Sequence, residues 1–362
     1  QRLAVVGPGA ADPGMLLGCY SFPRHVGVHH PDLPMGVAIP SFVDALRADP
    51  AGYDIRYAEG CPVRGGDGEG IARAAAVARD ADVCVAVLGD LAGLFGGGTS
   101  GEGCDAVDLR LPGRQEELLE ALLATGTPVV LVLLVGRPYE LSRQVDRLAA
   151  AVCGFFPGEE GAGALSDVLS GRVNPSGRLP VGFPAAGANQ PTTYLAPKLG
   201  RRTDVSSVDP TPVFPFGHGL SYAPATWLDV ALRSPDAWHT DGRCEVTVSL
   251  RNDAEVPTAE VVQVYLHDPV AEVARPVQQL VAAVRVDLAP GQARTVAIHL
   301  HADLTSYTGR AGYRLVEPGG VELRLGASSA DIRATLRLTL TGPRRQVGAD
   351  RVLEPEIVVL SV

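Results

Sequence analysis

The apolar residues of this chain keep two different periods, and the change from one to the other limits the fold more than any other feature. In the first part they come as unbroken runs: Leu3–Val6, Val83–Leu88, Val129–Val135 and Ala149–Phe156. An unbroken apolar strand has both faces covered, which is the pattern of a mostly parallel sheet held between helical layers. Helix-forming stretches separate the runs: Ser41–Ala48 with Ser41 as N-cap, Ala-rich Gly70–Arg79, Arg114–Ala124 and Glu159–Leu169. A short strand is expected at Tyr53–Tyr57, and a last one at Leu179–Phe183 after the Pro175-Ser176-Gly177 turn. Strand and helix in alternation predict an α/β domain.

From Asn189 to Pro212 periodicity lapses, and past Pro224 it returns as period two, with Val246, Val248 and Leu250 alternating with Glu245, Thr247 and Ser249. Further runs at Val261–Leu266, Leu280–Leu288, Thr295–Leu300, Val321–Leu325 and Ile332–Leu340 are separated by turns such as Pro290-Gly291 and Pro318-Gly319-Gly320. Short strands at such spacing predict an all-β sandwich of the immunoglobulin or fibronectin type III kind. The expected organisation is an α/β sandwich over 1–215, a junction over 216–226, a β-sandwich over 227–341 and a tail over 342–362, whose Ile357–Leu360 can dock as an extra strand.

Composition narrows the function classes. With 362 residues, 46% apolar and 20% charged, the chain can bury two cores and does not read as disordered. A formal charge of −10 argues against nucleic acid, which needs a basic face. No apolar run reaches the roughly 18 residues that span a bilayer, so a membrane is not an expected partner. The six cysteines form no Cys-x-x-Cys pair and keep no metal-ligand spacing with the eight histidines. That usage favours a reducing, cytoplasmic setting, with secretion left open because the chain starts at Gln1 with no leader to read.

The stretch Phe95–Pro112 is the candidate functional element: a Gly-rich loop between the apolar strand and the helix carrying Leu118, Leu119, Leu122 and Leu123. It holds one carboxylate, Glu102, between Gly101 and Gly103. A strand, loop, acid and helix in that order present a reactive group at the carboxyl end of a sheet; the plain alternative is a solvated surface acid. Cys104 has no histidine near it in sequence to activate it as a nucleophile. Gly7-Pro8-Gly9 lacks the third glycine of a dinucleotide loop, its position being taken by Asp12. In Gly65–Gly70, Asp67 and Glu69 would set negative charge where a phosphate must sit. His25, His29, His30 and Asp32 share a Pro-rich loop without metal spacing, so neither metal nor cofactor is expected.

Taken together, Thr99-Ser100-Gly101-Glu102-Gly103-Cys104-Asp105, Leu109-Arg110-Leu111-Pro112-Gly113, Gly136-Arg137-Pro138, Phe155–Gly161, Asn174–Pro180 and Phe214–Tyr222 resemble, in order, the motifs of family 3 glycoside hydrolases. Glu260–Tyr265 and Glu317-Pro318-Gly319 are similar to the fibronectin-like domain that ends many members. The resemblance covers nearly the whole chain and is nearest to bacterial β-glucosidases and β-xylosidases. It departs at Ala106, where arginine is common, and at Phe155, where tryptophan is frequent.

The resemblance implies a retaining exo-β-glycosidase that releases glucose or xylose from β-linked oligosaccharides or aryl and alkyl glycosides. It implies Glu102 as general acid/base, with Phe95 and Ser100 lining the sugar pocket. Retention needs a second carboxylate about 5–5.5 Å away. In the family that nucleophile is an aspartate on an N-terminal TIM-like barrel, expected as the partner domain, so this chain alone is expected to be inactive. A different class of reading is a non-catalytic carbohydrate-binding or scaffolding module, which would bind sugar without needing Glu102.

Overall fold

The computed structural model describes residues 1–187 and 193–361. The chain divides into two compact units, Gln1–Val173 with a short return segment, and Asn174–Phe183 with the C-terminal half.

The first unit is a five-stranded, wholly parallel sheet in the order β2-β1-β3-β4-β5. Its strands are β1 (Arg2–Val6), β2 (Asp54–Ala58), β3 (Val83–Gly89), β4 (Val129–Leu134) and β5 (Ala150–Cys153). Its helices are α1 (Phe22–His25), α2 (Phe42–Arg47), α3 (Glu69–Arg79), α4 (Gln115–Leu123) and α5 (Gly161–Leu169). Ser41 caps α2, its hydroxyl accepting from the Asp44 amide at 3.2 Å. One sheet face packs Leu3, Val5, Val85, Val87, Val132 and Leu134 against Phe42, Val43 and Leu46 of α2 and Ala162 and Leu165 of α5. The alternate residues, Ala4, Val6, Cys84, Ala86, Leu88, Leu131 and Leu133, are buried too, and α3 and α4 pack on one another on that side. This is the α/β sandwich that the unbroken apolar runs predict.

Two expected strands come out differently. Ala149–Phe156 is extended only over Ala150–Cys153, because Phe155 takes φ 52° and turns the chain out of the sheet. Leu179–Phe183 forms no strand of this sheet and groups with the second unit, where Phe183 makes a single bridge to Phe214. Its backbone pairs with residues 213–218 instead, the Leu179 amide donating to His218 and the Phe183 amide to Phe214, each at 2.8 Å.

The second unit is a sandwich whose sheets run β10-β9-β14-β15-β7 and β17-β11-β8-β6. The strands are β6 (Thr226–Leu232), β7 (Ala237–His239), β8 (Arg243–Arg251), β9 (Thr258–His267), β10 (Gln279–Leu288), β11 (Ala293–His301), β12 (Tyr307–Thr308), β13 (Arg314–Val316), β14 (Gly319–Gly326), β15 (Ile332–Thr341), β16 (Arg345–Gln346) and β17 (Glu356–Ser361). Pairing is antiparallel except for β15 with β7. Val246, Val248, Leu250, Val262, Val264, Val296, Ile298, Leu323 and Leu325 form the core between the sheets. The tail strand β17 pairs along β11, with Ile357 opposite Ile298. His218 stacks on Phe214 at 5.2 Å, and burial, helped by Arg178, pushes its pKa down, so its setting is structural. Of the segment without periodicity, residues 189–192 lie outside the described residues; the remainder carries one short helical turn, Lys198–Gly200.

Candidate active site

In a sheet ordered β2-β1-β3-β4-β5, the chain leaves β1 toward one side and β3 toward the other. The connections part at their carboxyl ends and open a crevice there. The β3 connection is the Gly-rich loop, and it is anchored first at its root. Gln115, buried at the start of α4, spans the end of β3: its Oε1 accepts from the Gly89 amide at 2.7 Å and its Nε2 donates to the Gly89 carbonyl at 2.8 Å. Gly89 has no room for a side chain, since a Cβ would lie 1.9 Å from the Leu134 carbonyl oxygen. Asp90 follows, fully buried, and its carboxylate accepts from the Thr99 hydroxyl, the Tyr139 hydroxyl and the Gly136 amide. Burial, then the charge of Asp90 and the hydrogen bond to it, pushes the Tyr139 phenol pKa up, so that group stays a donor.

Beyond the root the loop doubles back. The Thr99 amide donates to Leu91 at 2.8 Å, the Gly93 amide to Ser100 at 3.0 Å and the Phe95 amide to Glu102 at 2.8 Å. Three arginines from outside hold its carbonyl oxygens. Arg24 of α1 reaches Ala92 with Nε and Nη2 at 3.0 and 2.6 Å. Arg64 reaches Gly96 at 3.1 Å and Gly97 at 3.4 Å, and Arg137 reaches Cys104 at 2.7 Å. The Arg24 pKa is lowered by burial, which Asp12 opposes.

Glu102 sits exposed at the turn of this loop and forms no ion pair among the described residues. Its Oε2 accepts a hydrogen bond from the Tyr20 hydroxyl, which comes from the β1 connection on the other side of the crevice. That bond, with burial and the carboxylate charge adding to it, raises the Tyr20 pKa. Ser100 is buried, with its hydroxyl facing Gly136, and lines a cleft of about 550 Å³ with Tyr20, Gly101, Arg137 and Phe156. Phe95 is 80% exposed with φ 50°, its backbone bonded to that of Glu102. A larger cavity of about 800 Å³ borders Thr99, Asp105, Arg110, Arg114 and Tyr139 but includes neither Glu102 nor Tyr20. The smaller cleft is the one beside the carboxyl.

Sequence reasoning brought out Glu102, Phe95 and Ser100 and missed Tyr20, Asp90, Arg24 and Arg64. Only Asp90 carried a signal, an acid set directly after an unbroken apolar strand. The Gly7-Pro8-Gly9 turn is a packing device: a Cβ on Gly7 would lie 2.2 Å from the Val87 carbonyl oxygen. Cys104 is buried, and its Sγ lies 3.5 Å from the Gly93 carbonyl oxygen. Among the described residues, no three of His, Cys, Asp and Glu gather as a metal site would require.

Comparison with known proteins agrees with this architecture. Residues 1–222 match the glycosyl hydrolase family 3 C-terminal domain, and residues 260–329 match a fibronectin type III-like domain. A β-xylosidase of Formosa agariphila is 33% identical over 345 residues, covering 94% of this chain and 46% of that protein. A β-glucosidase of Rhizobium radiobacter is 36% identical over 304 residues, covering 79% of this chain and 35% of that protein. The crystal structure of a Listeria innocua β-glucosidase in complex with isofagomine superposes with a TM-score of 0.80 at 27% identity, covering 94% of this chain and 46% of that one. The chain thus spans less than half the length of these relatives. A parallel α/β sandwich followed by a fibronectin-like sandwich, matched over most of its length, places this chain in glycosyl hydrolase family 3 as a C-terminal domain with its Fn3-like companion.

Proposed function

We propose that this chain is the C-terminal part of a retaining exo-β-glycosidase acting on terminal β-D-glucosides or β-D-xylosides, with Glu102 as general acid/base. The observation that carries the reading is the placement of Glu102: an exposed carboxyl, at the carboxyl edge of a parallel sheet, on a loop fixed through its backbone. Relatives named β-glucosidase and β-xylosidase support the substrate class. In the first half-reaction Glu102 gives its proton to the glycosidic oxygen as a carboxylate on preceding polypeptide attacks the anomeric carbon and the aglycone leaves. In the second, Glu102, now ionised, takes a proton from water as the water displaces that carboxylate from the sugar. Phe95 and Ser100 flank the path of the sugar. Phe95 offers an exposed ring face, and Ser100 forms a wall of the cleft.

The test is Glu102→Ala in the full-length protein. Turnover of an aryl β-glucoside with a poor leaving group should fall by about 10²–10⁴, while a dinitrophenyl glucoside should still glycosylate the enzyme. Azide should restore turnover by trapping the intermediate as the β-glycosyl azide. Unchanged hydrolysis of the poor-leaving-group substrate would remove Glu102 from the mechanism.

A further inference from the structure

Tyr20 and Glu102 lie 82 residues apart, and the two loops that carry them leave adjacent strands at the point where the sheet's connections diverge. Their contact does not depend on two independent surface side chains finding one another. Arg24, four residues after Tyr20, bonds twice to the Ala92 carbonyl oxygen of the Glu102 loop. Cys19 packs under Gly101: a Cβ at 101 would lie 3.0 Å from the Cys19 Cβ. The Ser21 hydroxyl closes its own turn on the Gly18 carbonyl at 2.7 Å, and the His25 ring meets the Tyr20 ring edge-on at 5.6 Å. Residues on both sides of Tyr20 are therefore pinned to the loop whose acid it touches.

We propose that Tyr20 is a positioning residue for Glu102, holding one carboxyl oxygen so that the other carries the proton exchanged with substrate and water. The inference rests on the acid/base reading of Glu102 given above. A protonated carboxyl has one hydroxyl oxygen and one carbonyl oxygen. With Oε2 accepting from the Tyr20 hydroxyl, the carboxyl proton resides on Oε1. The glycosidic oxygen then takes its proton from Oε1, and the incoming water later returns one to the same atom. Tyr20 keeps its own proton throughout and exchanges none. The phenol fixes the carboxyl's rotation on a loop whose glycines supply no side chain to do so.

The test is a double-mutant cycle in the full-length enzyme on 4-nitrophenyl β-glucoside or xyloside, with wild type, Tyr20→Phe, Glu102→Ala and the double variant. Tyr20 is largely exposed and Phe removes only a hydroxyl, so the fold is retained; unfolding midpoints of all four verify this. With Glu102 present, Tyr20→Phe should lower kcat about tenfold or more, the usual scale for a hydrogen bond to a charged group, and leave KM within about twofold. In the Glu102→Ala background the same change should have no effect, because the oxygen it orients is gone. An equal loss in both backgrounds, or no loss with Glu102 intact, overturns the positioning role. A Glu102→Ala variant as active as wild type overturns the acid/base reading and this inference with it, and is recognised before Tyr20 is considered.

Discussion

The Thr99 hydroxyl donates to the Asp90 carboxylate at 2.7 Å while accepting from the Leu91 amide at 3.0 Å, so one threonine closes the neck of the loop that carries Glu102. Asp90 completes the neck by accepting from the Gly136 amide at 2.9 Å and from the Tyr139 hydroxyl. The Asp90 carboxylate and the Tyr139 ring lie out of water, where an unmatched polar group is costly. Asp90→Asn keeps the shape but turns one acceptor into a donor that faces another donor. Thermal or urea unfolding should show a loss of about 1–3 kcal/mol, with a fall in glycosidase activity of the full-length protein larger than the loss of folded protein explains.

Gly101 and Gly96 make a contrasting pair within the loop. Gly101 has φ 128°, and a Cβ there would lie 2.0 Å from the Gly93 carbonyl oxygen, so alanine must push the doubled loop apart. Gly96 has φ 83° but nothing within 4 Å of its missing Cβ. Gly96→Ala should cost only the backbone penalty, about 1 kcal/mol, and leave kcat close to wild type. Gly101→Ala should reduce kcat at least about tenfold by displacing Glu102. Steady-state kinetics and unfolding curves of the two variants separate the effects.

Phe95 holds a left-handed backbone, φ 50°, while its ring is 80% exposed. A bulky residue in that conformation carries about 1–2 kcal/mol of strain, and an exposed ring returns little burial. Phe95→Gly should therefore leave the melting temperature unchanged or raise it. If the ring stacks on the substrate, KM for aryl glycosides should rise about two- to tenfold. A lower melting temperature with unchanged KM would assign Phe95 to folding instead.

Asp49 gives a pH dependence of known sign. Burial alone would push its carboxyl up, but the Ala51 amide, the Arg172 guanidinium and the Ser166 hydroxyl together hold it down at about 2. A carboxyl depressed in the folded state stabilises the fold above its unfolded value of about 3.9 and loses that contribution as pH falls toward 2. Asp49→Asn should be less stable than wild type at pH 5 to 7, and the gap should narrow between about pH 4 and pH 2. Urea midpoints measured across that range check it.

The elements legible in the sequence were those whose signal is local. Val83–Gly89 announces itself because a parallel strand covered on both faces has no polar position to interrupt it. α4 shows through Leu118, Leu119 and Leu122 on one face. Leu179–Phe183 misled because an apolar run does not say what it pairs with, and its backbone bonds go to 213–218 of the second unit and not to β5. β6 went unseen because a register shift between Trp227 and Asp229 breaks its alternation. Within the site, Glu102 was visible from its glycine frame. Tyr20 was not, for it stands in a stretch of Gly, Pro and His with no period, and its meaning arises only when β1 and β3 become neighbours.

Arg24, Arg64 and Arg137 grip the reactive loop by carbonyl oxygens, atoms that every amino acid possesses. The path of residues 92–104 is thus written partly outside itself, in three cations scattered along more than a hundred positions. Transplanting the loop alone into a foreign scaffold would carry its letters without its shape.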